Sequence, residues 1–186
     1  MWTSESSVRC QIARGVGTMY PVIATAAVRF GELTEAVSYD AASVSNVERG
    51  NHPTTGMTST RVYGSGFTTF SLSATSRLGA TTCEASTWGS DSTVECRTAH
   101  GAMSTRRVTV TAGLGSTGSL TEAVSFDAPL LLSARFANRP ATGRATVSVS
   151  GANLGALSSY SVSARVGGSA CEASSWVLTP PQTLNP

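Results

Sequence analysis

The groups in this 186-residue chain that could do chemistry are four cysteines, two histidines, scattered carboxylates and three tryptophans. Thiols and imidazoles first suggest a metal. Zinc sites, however, draw on thiolates only a few residues apart, and Cys10, Cys83, Cys96 and Cys171 include no such pair. His52 precedes Pro53 and His100 precedes Gly101, so each reads as a solvated turn residue. Asp40 and Asp127 are too few oxygen ligands for calcium, and a turn aspartate bonded to nearby backbone is the simpler reading of each. Gly64-Ser65-Gly66 has no helix after it, as a nucleophile elbow would need. Trp88 and Trp176 could stack on sugar rings, but packing in a β-sandwich core is the plainer role. No catalytic residue, metal ligand or cofactor site follows from these patterns. The cysteines are left with disulfides or buried free thiols.

The elements that position these groups come from an internal repeat. Leu33-Thr34-Glu35-Ala36-Val37-Ser38-Tyr39-Asp40-Ala41 recurs as Leu120-Thr121-Glu122-Ala123-Val124-Ser125-Phe126-Asp127-Ala128, at an offset of 87. Pro53-Thr54-Thr55-Gly56 recurs as Pro140-Ala141-Thr142-Gly143 at the same offset. Cys83-Glu84-Ala85-Ser86-Thr87-Trp88 recurs as Cys171-Glu172-Ala173-Ser174-Ser175-Trp176 at 88, and Trp2 to Cys10 matches Trp88 to Cys96 at 86. One whole unit therefore spans residues 42–128. Residues 1–41 match the second half of a unit, and residues 129–186 the first half of a further one.

Within the unit the apolar period is two, the period of a half-buried strand. Thr60-Arg61-Val62-Tyr63 and Val108-Thr109-Val110-Thr111 alternate, as do Thr146 to Ser150 and Tyr160 to Ser163. Val44 and Val47 mark a first strand, and Val124 and Phe126 a last one. Gly, Pro, Asn and Ser clusters separate the runs, and no amphipathic helix is evident. About seven short strands per unit is the arithmetic of an Ig-like sandwich.

Gly50-Asn51-His52-Pro53-Thr54-Thr55-Gly56, followed by Val62-Tyr63-Gly64-Ser65-Gly66-Phe67, resembles the opening of an IPT/TIG domain. In that family a Pro and Gly turn leads to a strand ending in Gly-x-x-Phe. Gly151-Ala152-Asn153-Leu154 keeps the pattern with Leu for Phe. The resemblance covers nearly all of the chain. It implies an all-β protein of tandem Ig-like repeats of about 87 residues, a fold used in surface receptors, tandem arrays and some transcription factors. It assigns no function by itself.

Within this framework Cys83 and Cys96 share one unit, 13 residues apart with Trp88 between them, and are expected to form a disulfide joining neighbouring strands. That implies an oxidising compartment. Cys10 corresponds to Cys96 and Cys171 to Cys83, so they are complementary orphans. Either the chain belongs to a long tandem array, or copies join head to tail and each completes the next. In the second case Cys171 of one copy would bond Cys10 of another.

Composition narrows the setting. Charged residues are 13% and aromatics 6%, and polarity comes instead from 28 Ser and 25 Thr, as in extracellular β-proteins and O-glycosylated stalks. No Asn-x-Ser/Thr acceptor occurs. A net charge of +2, with Arg106-Arg107 as its densest spot, is too small a positive face for nucleic acid. No apolar window is long enough to span a bilayer, and Met1 to Cys10 lacks the apolar core of a secretory signal, so a processed chain or a segment of a longer one is expected. The leading expectation is a non-enzymatic component of an extracellular filament, fibre or stalk, whose partners are copies of itself or adjacent repeats, with O-linked glycan on its hydroxyls. The alternative is a cell-surface adhesion or receptor segment that binds protein or glycan.

Overall fold

The computed structural model describes residues 2–4, 6–68, 74–102, 105–113, 115–135, 138–155, 161 and 163–176, and of residues 2–4 the backbone alone. Every regular element among them is a strand. Two hairpins come first: β1 (Trp2–Ser4) with β2 (Ser7–Val8), and β3 (Tyr20–Ala26) with β4 (Arg29–Val37). The central unit holds β5 (Ser43–Val47), β6 (Asn51–His52), β7 (Ser59–Ser65), β8 (Thr75–Leu78), β9 (Thr81–Thr82), β10 (Ala85–Ser90), β11 (Thr93–Arg97), β12 (Arg106–Ala112) and β13 (Ser116–Phe126). Two further hairpins follow: β14 (Leu130–Arg135) with β15 (Ser148–Ala152), and β16 (Arg165–Val166) with β17 (Ser169–Ala170). The expected run at 160–163 includes residues 160 and 162, which lie outside the described residues, as does the tail from 177.

The central strands form a four-stranded sheet, β10-β11-β7-β5, and a five-stranded sheet, β6-β13-β12-β8-β9. This is the expected Ig-like sandwich, with nine described strands where the sequence suggests about seven. The two-residue strands β6 and β9 make the difference. The first strand breaks after Val47, so β5 pairs antiparallel with β7 while β6 pairs parallel with β13 in the opposite sheet.

Alternation builds the core. Thr60 and Val62 of β7, Val94 and Cys96 of β11, and Val108, Val110 and Ala112 of β12 point inward, with Val44, Phe67, Leu78 and Val124 around them. Gly64 explains the Gly-x-x-Phe pattern. A Cβ there would overlap the Ser43 carbonyl and press on the Phe67 ring, so only glycine lets β5 lie on β7 with Phe67 beneath. Phe67 is fully buried, and its carbonyl accepts the Trp88 indole N–H at 3.0 Å. We expect Gly64→Ala to lower unfolding stability by about 1–3 kcal/mol through overpacking. Gly168→Ala, in open space, should leave the urea midpoint unchanged.

Candidate functional site

The disulfide Cys83–Cys96 closes the central unit with Cα atoms 5.7 Å apart. It does not simply join adjacent strands of one ladder, as the spacing suggests. The chain changes sheets at this point. The Cys83 amide donates to the Ser76 carbonyl of β8 at 3.0 Å, and the next amide, Glu84, donates to Arg97 of β11 at 2.9 Å. The bridge therefore ties the corner leaving the five-stranded sheet to β11 of the four-stranded one. Trp88 packs half-buried against the same core. Breaking the bridge with Cys83→Ser should cost about 3 kcal/mol, by the loop-entropy account, in chemical denaturation.

His52 is not the solvated turn residue its Pro neighbour suggests. It is fully buried, because β6 is drawn into the sheet beside β13. The Asp127 amide donates to the His52 carbonyl at 2.9 Å, and the imidazole Nδ1 lies 2.9 Å from Thr58 Oγ1. Thr58 and Thr98 hydroxyls are bonded at 2.9 Å in turn, while His52 Nε2 is buried without a partner. Burial lowers the His52 pKa, reinforced by the Arg49 charge and opposed by a backbone hydrogen bond at Arg49 and by Asp127. A buried neutral imidazole binds fewer protons than an exposed one. Its contribution to stability is thus fully present above the ordinary value of about 6.5 and lost as pH falls toward the lowered folded value. The thermal midpoint should fall as the pH drops below about 6.5, and His52→Phe should flatten that slope.

The aspartate reading also changes. Asp127 Oδ1 accepts from Asn51 Nδ2 at 2.6 Å, so it clamps β6 to the end of β13 across the unit rather than capping a local turn. Asp40 is exposed. His100 is half-buried, and with Arg106, Phe126, Leu78 and Thr81 it lines a cavity of about 130 Å³. That is well below the roughly 300–1,000 Å³ of ordinary ligand pockets. Arg107 is exposed at the start of β12. Among the described residues, no group of three or more metal-ligating side chains occurs and no helix is long and apolar enough to cross a membrane.

The flanking hairpins carry the more informative geometry. In β3–β4, Tyr20 pairs with Val37 and Val22 with Leu33, around a bulge. In β12–β13, Arg106 pairs with Val124 and Val108 with Leu120, around the same bulge. Glu35 and Glu122 sit in it with the same positive φ of 53°. In β14–β15, Leu131 lies opposite Gly151, as Val44 lies opposite Gly64. Trp2 pairs with Val8 as Trp88 pairs with Val94. The hairpins match, but their environments do not. Val94, Val62, Val44 and Leu78 are at most 8% exposed, whereas Val8 is 69%, Val149 41%, Leu131 65% and Val166 66% exposed. Cys10 and Cys171 are exposed free thiols. Glu35 and Glu122 lie within the repeated Leu-Thr-Glu-Ala, which carries no local signal of their left-handed backbone.

Residues 42–126 match the IPT/TIG domain family. The chain carries an IPT/TIG domain over these residues. The family match covers the central sandwich. IPT/TIG domains occur in cell-surface receptors and in intracellular transcription factors, and are generally binding or structural rather than enzymatic. No curated protein matches the chain.

Proposed function

We propose that this IPT/TIG protein is a structural component of an extracellular filament, fibre or stalk, assembled head to tail from Ig-like repeats. Residues 129–176 of one copy and residues 2–41 of the next supply the two halves of one sandwich. The observation that carries this reading is the pair of flanks with unit-like hairpins and open apolar faces. Burying each valine or leucine contributes about 1.5–3 kcal/mol. Pairing the open strand edges removes a second liability. In the composite, Val8 would face Val149 as Val94 faces Val62, and Val22 would pair with Val166 as Val108 pairs with Leu78. A contact of this kind is heterologous, so repetition without ring closure gives an open fibre. The disulfide and the hydroxyl-rich surface support an extracellular, O-glycosylated setting. The occurrence of the family in surface receptors favours a second reading, an adhesion or receptor segment.

The test turns on Gly31. It corresponds to Gly118, where a Cβ would lie 2.8 Å from the Ala42 carbonyl oxygen, yet Gly31 itself meets nothing within 4 Å. Gly31→Val should leave the folded copy intact by circular dichroism and abolish assembly in sedimentation velocity. The unsubstituted chain should sediment as a concentration-dependent series and form regular fibres in micrographs. Dispersed monomers at all concentrations would instead favour the receptor reading.

A further inference from the structure

We infer that Cys171 of one copy and Cys10 of the next form a disulfide that locks the composite sandwich covalently. The inference rests on the head-to-tail reading above and adds a site that neither copy holds alone. Its basis is a corner already built around Cys171. In the central unit the Cys83 amide donates to the Ser76 carbonyl at 3.0 Å, and the Ser76 amide donates to Ser86 Oγ at 2.9 Å. Around Cys171 the same two bonds recur: its amide donates to the Ala164 carbonyl at 2.9 Å, and the Ala164 amide donates to Ser174 Oγ at 3.1 Å. The hairpins beside them agree as well, with Arg165 opposite Ala170 as Arg77 is opposite Thr82. The local fold that presents Cys83 to its partner is thus in place at Cys171, with the thiol exposed.

The other half of the site lies at the opposite end of the chain. Cys10 stands two residues after Val8 as Cys96 stands two after Val94, and Trp2–Val8 repeats the Trp88–Val94 pairing. In the central unit Ser86 lies opposite Cys96 and Thr60 lies on its other side. Transposed to the composite, Ser174 falls opposite Cys10 and Val147 on its other side. The register that buries Val8 against Val149 therefore also brings Cys10 to Cys171. Two exposed thiols at opposite ends of one copy become a cross-sheet pair between two copies.

The chemistry is thiol–disulfide exchange with a low-molecular-weight disulfide such as oxidised glutathione. One cysteine thiolate attacks it, forming a mixed disulfide and releasing one glutathione thiolate. The partner cysteine thiolate then attacks the protein sulfur of that mixed disulfide and releases the second. The two cysteines give up two protons and two electrons, and the glutathione disulfide is reduced to two thiols.

The test uses the full chain and two variants, Cys10→Ser and Cys171→Ser, one of them labelled with heavy nitrogen. Each is incubated alone, and both together in equimolar amounts, in a glutathione redox buffer. Products are read by non-reducing electrophoresis and intact mass, and assembly by sedimentation. We expect a reducible ladder from the unsubstituted chain, no covalent dimer from either variant alone, and one hybrid dimer from the mixture. Homodimers from a single variant, in yields matching the hybrid, would overturn the inference, because unguided exposed thiols would explain them. A monomer bridged between its own Cys10 and Cys171 would overturn it too. Assembly without any ladder would sink the lock and leave the head-to-tail reading standing. Absence of both assembly and ladder would remove that reading and the lock with it.

Discussion

Two facing β-sheets are stable only if each covers the apolar face of the other. In residues 42–126 this condition is met: Val62 and Val94 on one sheet and Val108, Val110 and Val124 on the other belong to a single buried cluster. The close approach that permits it is set by backbone as much as by side chains. Gly64 lets β5 lie against β7, and Gly118 gives room to the backbone at Ala42 and Ser43. The disulfide then fixes one of the corners where the chain passes between the sheets.

The same condition explains the polar residues inside. The first strand divides between the two sheets, which carries His52 into the interior. A buried imidazole must be neutral and bonded to be tolerated. Thr58 and Thr98 supply one side of that bonding, and Asn51 with Asp127 holds the strand that presents the ring. The unit thus accepts one incompletely satisfied nitrogen in exchange for a first strand shared by both sheets.

Where covering is absent, the hairpins keep their form but not their burial. β3–β4 and β14–β15 reproduce the pairings and bulges of their central counterparts, and Glu35 the left-handed backbone of Glu122. The turn Pro140–Gly143 closes with the same amide-to-carbonyl bond as Pro53–Gly56. Yet Val8, Val22, Leu131 and Val149 stand in solvent, where their counterparts Val94, Val108, Val44 and Val62 are buried. An apolar face that is structured and uncovered is a surface for association. The flanks differ from an arbitrary sticky patch because each has, elsewhere in the same chain, the sequence of the half that covers its counterpart.

Much of this was legible before any coordinates. Alternation in Thr60–Tyr63 and Val108–Thr111 marks β7 and β12, and the repeat locates the unit and its cysteines. Strand period and turn chemistry are local, so short stretches of residues determine them wherever they occur. The cross-sheet path of Cys83–Cys96, the burial of His52 and the long-range bond of Asp127 to Asn51 were not legible, because each depends on residues brought together from distant parts of the chain. The sequence alone determined that the chain makes the strands, turns and hairpins of an Ig-like unit, with Cys10 and Cys171 as counterparts of a bonded pair. Only the tertiary structure decided which of those hairpins are covered, since burial depends on what lies opposite, and Val8, Val22, Leu131 and Val149 of the flanks remain exposed.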